Sequence, residues 1–226
     1  MPDRRRIAAA ICLLPLAALP APAPAQPASH RDRALIDAAA AGDAAAVRRL
    51  LGEGAGVAAR DATGRTALLA ATQGNHVEAA RLLMEAGADV NAQDAIRDSP
   101  FLLAGARGHT EIVRLALARN PDFRVTNRYG GTALIPACHY GHVETVRVLL
   151  ASAIPVDHVN DLGWTALLEA IILGDGGPAH TEIVRLLVAH GANVNLADRG
   201  GVTPLAHARA RGQRAIAAIL ERAGGK

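Results

Sequence analysis

One pattern recurs at a nearly constant interval along this chain of 226 residues, and it constrains the fold more than any other feature. A hydroxyl residue opens each copy, at Thr66, Ser99, Thr132, Thr165 and Thr203, so that the intervals are 33, 33, 33 and 38 residues. A period of about 20 to 50 residues is typical of repeat architectures, in which each unit buries its apolar face only against its neighbours. The sequence therefore predicts a stack of repeats.

Each copy contains two short helical segments. The opening hydroxyl residue is predicted to be the N-cap of the first helix, because its oxygen can accept a hydrogen bond from a free N–H of the first turn. Pro100 and Pro204 occupy the first helical position, where no N–H is needed. Asn75, Gly108 and Gly141 occupy the turn between the helices, where a left-handed backbone is favoured. The turn that joins successive repeats is expected to open at Asp61, Asp94, Asn127, Asn160 and Asp198.

The copies closely resemble the ankyrin repeat. The resemblance is carried by TALLAATQGNHVEAARLLMEAGADVNAQD (66–94), SPFLLAGARGHTEIVRLAL (99–117), TALIPACHYGHVETVRVLL (132–150) and HTEIVRLLVAHGANVNLADRGGVTPL (180–205). It implies an all-α repeat fold, an alpha solenoid, with a helix-turn-helix and a β-hairpin or loop per repeat. The ankyrin domain is expected over 34–226, with six repeats at 34–61, 62–94, 95–127, 128–160, 161–198 and 199–226.

Candidate catalytic groups are scarce. His76, His109, His142 and His180 share one repeat position, which favours a role in stabilising the turn over a role as metal ligands. Cys138 occupies a position that is buried in the repeat, so we interpret it as a small core residue and not as a reactive thiol. The sequence predicts no enzyme, no catalytic residue, no metal site and no cofactor.

One acidic–histidine pairing supports an alternative function. Glu169 and His207 occupy the same position in adjacent repeats, which stack at about 10 Å, so their side chains could meet. The pair could stabilise the interface between two repeats, or Glu169 could belong to a polar binding site. A small-ligand site or a weak enzymatic site around Glu169, His207 and Asp175 is the alternative to a protein-binding function.

The last interval is five residues longer than the others because of an insertion near 174–178, between the two helices of the fifth repeat. Its glycines and Pro178 are not expected to extend either helix, so the sequence predicts a protruding loop. Insertions in repeats map to loops that are often functional. The alternative is an insertion without a function, which is tolerated because lengthening a loop costs little free energy.

The resemblance implies binding to another protein through the hairpin tips and the concave face of the first helices. Tyr129, Tyr140 and Trp164 lie at tips and at the turn between helices, where exposure is expected, and Tyr, Trp and Arg are enriched at binding hot spots. Packing of Trp164 on the neighbouring hairpin is the alternative. Arg97 stands where the other tips have glycine, so it either carries backbone strain or flips the turn, and a hairpin of different shape is expected. The candidate partner-binding residues are Arg97, Asp98, Arg128, Tyr129, Tyr140, Asp161, Leu162, Trp164, Glu169 and Asp175.

The first 25 residues have the parts of a secretory signal peptide. Arg4 to Arg6 precede an apolar stretch over 7–19, which is too short to span a bilayer, and Ala23-Pro24-Ala25 fits the small-x-small cleavage rule. We therefore expect cleavage near Ala25, a flexible lead-in over 26–33 and export to the periplasm. An uncleaved membrane anchor is the alternative.

The charge of the exported chain argues against nucleic acid as a partner. Residues 1–25 carry three arginines and one aspartate, so cleavage lowers the net charge from +3 to +1. No concentrated basic patch accompanies this small charge, and nucleic-acid binding requires one. One cysteine remains after cleavage, which excludes an internal disulfide. We expect a monomer that is not inserted in the membrane after cleavage.

Overall fold

The computed structural model describes residues 29–226, which form twelve helices in six consecutive pairs. The first helices of the pairs are α1 (His30–Ala41), α3 (Ala67–Gln73), α5 (Pro100–Arg107), α7 (Leu134–His139), α9 (Ala166–Ile172) and α11 (Pro204–Ala210). The second helices are α2 (Ala44–Gly52), α4 (Val77–Glu85), α6 (Thr110–Leu117), α8 (Val143–Leu150), α10 (Pro178–Ala189) and α12 (Arg214–Arg222). This confirms the all-α solenoid.

The repeats stack in register. Each first helix contacts the first helix of the next pair, and each second helix contacts the next second helix, from α1 and α2 through to α11 and α12. Ala71, Ala104, Ala137 and Ala170 lie fully buried where consecutive first helices meet. Their small side chains let the helices approach closely, so one apolar core continues through all six pairs.

The segments between repeats are turns and not strands. In the part of the chain that the structure describes, β pairing is limited to one isolated bridge between Arg60 and Thr66. Each turn is organised by the Asp or Asn that opens it. At the turn between the fourth and fifth repeats, for example, Asn160 Oδ1 accepts hydrogen bonds of 3.0 Å from the backbone N–H groups of Leu162 and Trp164. The same two bonds form at Asp61, Asp94, Asn127 and Asp198.

The predicted difference at Arg97 is wrong. Its φ is 65°, in the same left-handed region as Gly163 at 84° and the glycines of the other tips. Its N–H donates to the carbonyl of Asp94 at 3.1 Å, as the N–H of Gly163 does to Asn160 at 2.9 Å. The two bonds to the Asp94 carboxylate hold the turn, so Arg97 adopts the glycine conformation and its backbone carries the strain.

Four of the five predicted N-caps are confirmed. The hydroxyls of Thr66, Ser99, Thr165 and Thr203 each accept a hydrogen bond from the N–H three residues later, at 3.2 to 3.3 Å. Each of these bonds satisfies a donor that the first turn of a helix leaves free.

Thr132 is the exception, and the prediction is wrong there. Helix α7 begins at Leu134 with Ala133 as its N-cap, and the buried hydroxyl of Thr132 has no hydrogen-bond partner among residues 29–226. In the four other repeats the residue four positions after the cap donates its N–H to the cap carbonyl. Pro136 occupies this position in α7 and has no N–H, so the first turn cannot close on Thr132.

Three of the four repeated histidines link their repeat to the preceding one. Nε2 of His76, His142 and His180 lies 3.0, 3.2 and 2.8 Å from a carbonyl at the end of the preceding first helix. Gln213 takes the same place in the last repeat and donates to the carbonyl of Ile171 at 3.0 Å. These bonds confirm the structural role of the three histidines. Nε2 of the fourth, His109, is buried and has no hydrogen-bond partner in the described part of the chain.

The insertion near 174–178 is only partly a loop. Helix α10 begins at Pro178, with Gly177 as its N-cap, and has 12 residues, whereas α6 and α8 have 8 each. Pro178 therefore extends the helix, contrary to the prediction, because proline at the first helical position loses no hydrogen bond. The loop itself is confined to the segment between Ile172 and Pro178.

The N-terminal end of the described chain is helical. Ser29 and Asp32 form a reciprocal capping box, with hydrogen bonds of 2.9 and 3.2 Å, and α1 begins at His30. The lead-in prediction is therefore wrong for residues 30–33, because this cap stabilises a helix there. The predicted signal peptide over 1–25 lies outside the described residues. None of the helices within 29–226 has the length and hydropathy needed to cross a membrane.

Candidate protein-binding groove

A groove of about 800 Å³ runs across the third, fourth and fifth repeats. We name it the central groove. It lies between the turns that join these repeats and the first helices α5, α7 and α9. Its principal lining residues are Asp98, Leu103, Arg107, Arg128, Tyr129, Ile135, Pro136, His139, Tyr140, Asn160, Leu162, Glu169 and Leu173.

Large exposed side chains flank the central groove. Tyr129 is 53% exposed, Tyr140 is 60% exposed and Leu162 is 48% exposed. The Tyr129 ring lies 5.1 Å from the Arg128 guanidinium carbon, within the range of a cation–π contact. The Tyr140 ring stacks on His139 at 4.2 Å between centroids. These contacts hold the aromatic rings at the rim while leaving much of their surface available to a partner.

A buried carboxylate lies at the floor of the central groove. Glu169 projects from α9 and is only 7% exposed. Its Oε1 accepts a hydrogen bond of 2.9 Å from Asn160 Nδ2, and its Oε2 lies 3.9 Å from His139 Nδ1. Burial raises the pKa of Glu169 to about 7, although the Asn160 hydrogen bond opposes this shift.

His139 does not supply a stable counter-charge for Glu169. Burial, and to a smaller extent the charge of His180, lowers the pKa of His139 below its ordinary value of 6.5. The imidazole is therefore mainly neutral at pH 7 and supplies little positive charge to the Glu169 carboxylate. The contact between the two residues is a polar contact and not a full ion pair.

A second carboxylate borders the central groove at the preceding turn. Burial and the negative charge of Asp94 raise the pKa of Asp98, while Arg128 and Arg107 oppose this shift. Arg128 Nη1 lies 3.9 Å from Asp98 Oδ1. The positive charges of the groove therefore act on Asp98, whereas neither arginine contributes to the pKa of Glu169.

The structure brings together six of the ten candidate binding residues. The residues that border the central groove are Asp98, Arg128, Tyr129, Tyr140, Leu162 and Glu169. Arg97 and Asp161 are exposed on the turns beside it, and Trp164 is partly buried, contrary to the expectation that it is exposed. Asp175 lies beyond the other end of α9, where its carboxylate is 2.8 Å from His180 Nδ1.

The predicted cluster of Glu169, His207 and Asp175 is wrong. His207 Nε2 lies 2.8 Å from Asp198 Oδ2, while Glu169 is bonded to Asn160. Each of the two side chains thus binds the turn-opening residue nine positions earlier, in the turn that precedes its own helix. The sequence interpretation missed Asn160 and His139 as neighbours of Glu169. The signal for Asn160 is the nine-residue spacing, which is the same between Asn160 and Glu169 as between Asp198 and His207.

The described residues offer little for metal or thiol chemistry. Within 29–226, no group of three or more His, Cys, Asp or Glu side chains is arranged to hold a metal ion. Cys138 is fully buried, and burial together with the negative charge of Glu169 raises the pKa of its thiol well above the ordinary value. The thiol therefore stays protonated and packs as a small core side chain, as the sequence predicts.

Family comparison decides what kind of repeat this is. Residues 15–94, 101–177 and 152–224 match a family model described as ankyrin repeats in three copies, and residues 73–117 match one described as ankyrin repeats in many copies. The chain belongs to the ankyrin repeat family. Proteins of this family generally bind other proteins, and they are typically scaffolds without enzymatic activity.

Solved ankyrin structures cover most of the chain. An ankyrin repeat domain (ABAYE2397) from Acinetobacter baumannii AYE is 56% identical, with a TM-score of 0.83, over 85% of this chain and 98% of that one. The ankyrin repeat protein EF0377 is 39% identical, with a TM-score of 0.83, over 86% and 99%. The ankyrin domain of Bcl-3, of the IkappaB family, is 28% identical, with a TM-score of 0.77, over 85% and 86%.

A curated relative matches a shorter part of this ankyrin chain. YahD of Escherichia coli (strain K12), named as an ankyrin repeat protein, is 52% identical over 56 residues. This match spans 25% of this chain and 28% of YahD. It supports the repeat assignment.

Proposed function

We propose that this ankyrin repeat protein is an exported scaffold or regulator that binds a protein of the periplasm or envelope through the central groove, without catalysis of its own. One observation carries the proposal: Tyr129, Tyr140 and Leu162 are exposed together along one groove in a rigid stack. Tyrosines supply large contact areas at a low entropic cost, and they are enriched at hot spots.

The architecture of the central groove supports a protein partner. Its residues come from three consecutive repeats whose helices are fixed by the continuous core, so little ordering is needed on binding. The groove also combines apolar, aromatic and charged side chains, as protein interfaces do. A partner that lies along it contacts turns and first helices together.

The proposal is tested by crosslinking and affinity capture from cells that express the full chain. The wild type is compared with Tyr129→Ala/Tyr140→Ala, which removes both exposed rings, and with Val202→Ala, which removes an exposed side chain at the sixth-repeat turn outside the groove. We expect one stoichiometric protein to be captured by the wild type and by Val202→Ala and lost from the double variant. Equal capture by all three proteins would contradict binding at the groove.

Export is a separate part of the proposal and has its own test. The arginines, the apolar stretch and the cleavage motif within residues 1–25 support it. We expect the protein in a periplasmic fraction, with a mature N-terminus at or near Gln26 determined by mass spectrometry. An intact N-terminus on a protein found in the cytoplasmic fraction would contradict export.

A further inference from the structure

We infer that the central groove receives a basic side chain from a segment of the bound protein, and that this side chain pairs with the carboxylate of Glu169. The inference rests on the proposed function, because it specifies the chemistry of the partner at the same groove. It concerns one subsite at the floor of the groove, formed by Glu169, Asn160 and His139.

The geometry of this subsite leaves one carboxylate oxygen available. Asn160 Nδ2 donates to Oε1 of Glu169 and holds the side chain in place. Among residues 29–226, no group donates a hydrogen bond to Oε2, and the nearest basic nitrogen, His139 Nδ1, is 3.9 Å away. Glu169 nevertheless borders the groove, so a ligand group that enters it can reach this oxygen.

The subsite is electrostatically incomplete. A buried carboxylate is normally compensated by a cation or by several hydrogen-bond donors. Within the described residues, Glu169 has one hydrogen-bond donor and no arginine at ion-pair distance, whereas Asp98, at the preceding turn, is approached by Arg128. Burial raises the pKa of Glu169, and only the Asn160 hydrogen bond opposes this shift. A positive charge from a partner would stabilise the ionised carboxylate.

The walls of the groove favour a basic side chain over a free cation. Leu162 and Leu173, which are 48% and 43% exposed, provide apolar surface for the aliphatic part of an arginine or lysine, whose charged end can then reach Glu169. The Tyr140 ring, fixed by its stack on His139, offers an aromatic face beside the subsite. Guanidinium and ammonium groups bind favourably to such faces.

The test uses peptides as probes, because the native partner is unidentified. A display library of random dodecapeptides is selected on the immobilised wild-type protein, and each selected peptide is resynthesised with its arginines replaced by citrulline or its lysines by norleucine. We expect selected peptides to contain a basic residue whose neutral replacement weakens binding about tenfold. Selection of no peptide, or of peptides that do not require a basic residue, would overturn the inference.

A double-mutant cycle then locates the contact. Glu169→Gln keeps an oxygen that can accept from Asn160 but removes the charge. We expect it to weaken binding of the basic peptides about tenfold and to leave binding of the neutral peptides unchanged. Glu111→Gln removes an exposed charge of α6 outside the groove and should change neither affinity. Equal losses for basic and neutral peptides on Glu169→Gln would overturn the inference.

The two proposals fail differently. Peptides that need Tyr129 and Tyr140 but tolerate Glu169→Gln would overturn the basic-residue inference and leave the groove as the binding site. Peptides and native partner that tolerate Tyr129→Ala/Tyr140→Ala would overturn the groove as the binding site.

Discussion

Asn160 Nδ2 donates a hydrogen bond of 2.9 Å to Glu169 Oε1, and this bond ties the turn before the fifth repeat to the helix that follows it. The oxygen of the same Asn160 side chain accepts the two backbone bonds that shape the turn. His207 and Asp198 form the corresponding link in the sixth repeat, at 2.8 Å. One position of the first helix thus fixes the preceding turn in both repeats, but only Glu169 does so as a buried acid with a raised pKa.

Glu169 should make the stability of the protein depend on pH. Its pKa is about 7 in the folded state and 4.5 when unperturbed, so between these values the folded state binds more protons than the unfolded state. The free energy of unfolding therefore falls as the pH rises through this window, by up to about 3 kcal/mol. The Glu169→Gln variant has no carboxylate to titrate at this position. The difference in the free energy of unfolding between the variant and the wild type should therefore shift in favour of the variant from pH 4.5 to pH 8.

Urea denaturation of both proteins at the two pH values measures the effect, because contributions from other titrating groups cancel in the difference. Glu111→Gln is the control, since its carboxylate is exposed and its variant should track the wild type at both values. A stability difference between Glu169→Gln and wild type that is the same at pH 4.5 and pH 8 would contradict the raised pKa.

Asn160→Asp should destabilise the protein more at pH 8 than at pH 5. The substitution retains the oxygen that organises the turn but replaces the donor to Glu169 by a second carboxylate, and two adjacent carboxylates cannot both ionise without repulsion. We expect a loss of about 2 kcal/mol at pH 8 and a smaller loss at pH 5, where Glu169 is protonated and can donate.

Asn127→Asp is the matched control for this substitution. Asn127 accepts the same two backbone bonds one repeat earlier, and aspartate already occupies the equivalent positions at Asp61 and Asp94. Thermal denaturation of both variants should show a large shift for Asn160→Asp only. Similar shifts for both would place the effect in the turn and not in the contact with Glu169.

Periodicity predicts the features that every repeat shares, because the same residue in the same local backbone makes the same bond. Four hydroxyl caps, three cross-repeat histidines and all five turn-opening residues follow this rule. Thr132 departs from this rule because Pro136, four positions later, has no N–H to donate to the Thr132 carbonyl. Aligning the repeats on the cap residue alone does not reveal this difference. Pro178 also departs from the prediction. Proline interrupts a helix at interior positions, but at the first helical position, which Pro178 occupies, it is favoured.

The candidate groove is less predictable than the fold. Exposure of Tyr129 and Tyr140 follows from their places in the repeat, and both border the groove. The neighbours of Glu169 depend on the conformation of its side chain, which the spacing between repeats does not specify. The sequence therefore predicts a pairing of Glu169 with His207 between consecutive first helices, whereas in the structure each side chain contacts the turn that precedes its own helix.

Arg97→Gly should stabilise the protein by about 0.5 to 1 kcal/mol. A left-handed backbone costs a residue with a Cβ about 1 to 2 kcal/mol, and part of the gain is lost because glycine is more flexible in the unfolded chain. Gly201→Ala is the reverse experiment, since Gly201 has a φ of 77° and open space around a Cβ. We expect it to destabilise by about 1 kcal/mol in thermal or urea denaturation. Destabilisation by Arg97→Gly would show that the Arg97 side chain contributes more than its backbone strain costs.

Thr132→Val and Thr165→Val should have opposite effects on stability. The Thr132 hydroxyl is 1% exposed and has no partner, so an isosteric methyl group removes an unsatisfied polar atom and should stabilise by about 1 kcal/mol. The Thr165 hydroxyl accepts from the N–H of Leu168 at 3.2 Å, so the same substitution removes a helix cap and should destabilise by about 1 kcal/mol. Urea denaturation of the two variants measures both signs. If Thr132→Val were as destabilising as Thr165→Val, the Thr132 hydroxyl would have a hydrogen-bond partner after all, and Pro136 would not have displaced the start of α7.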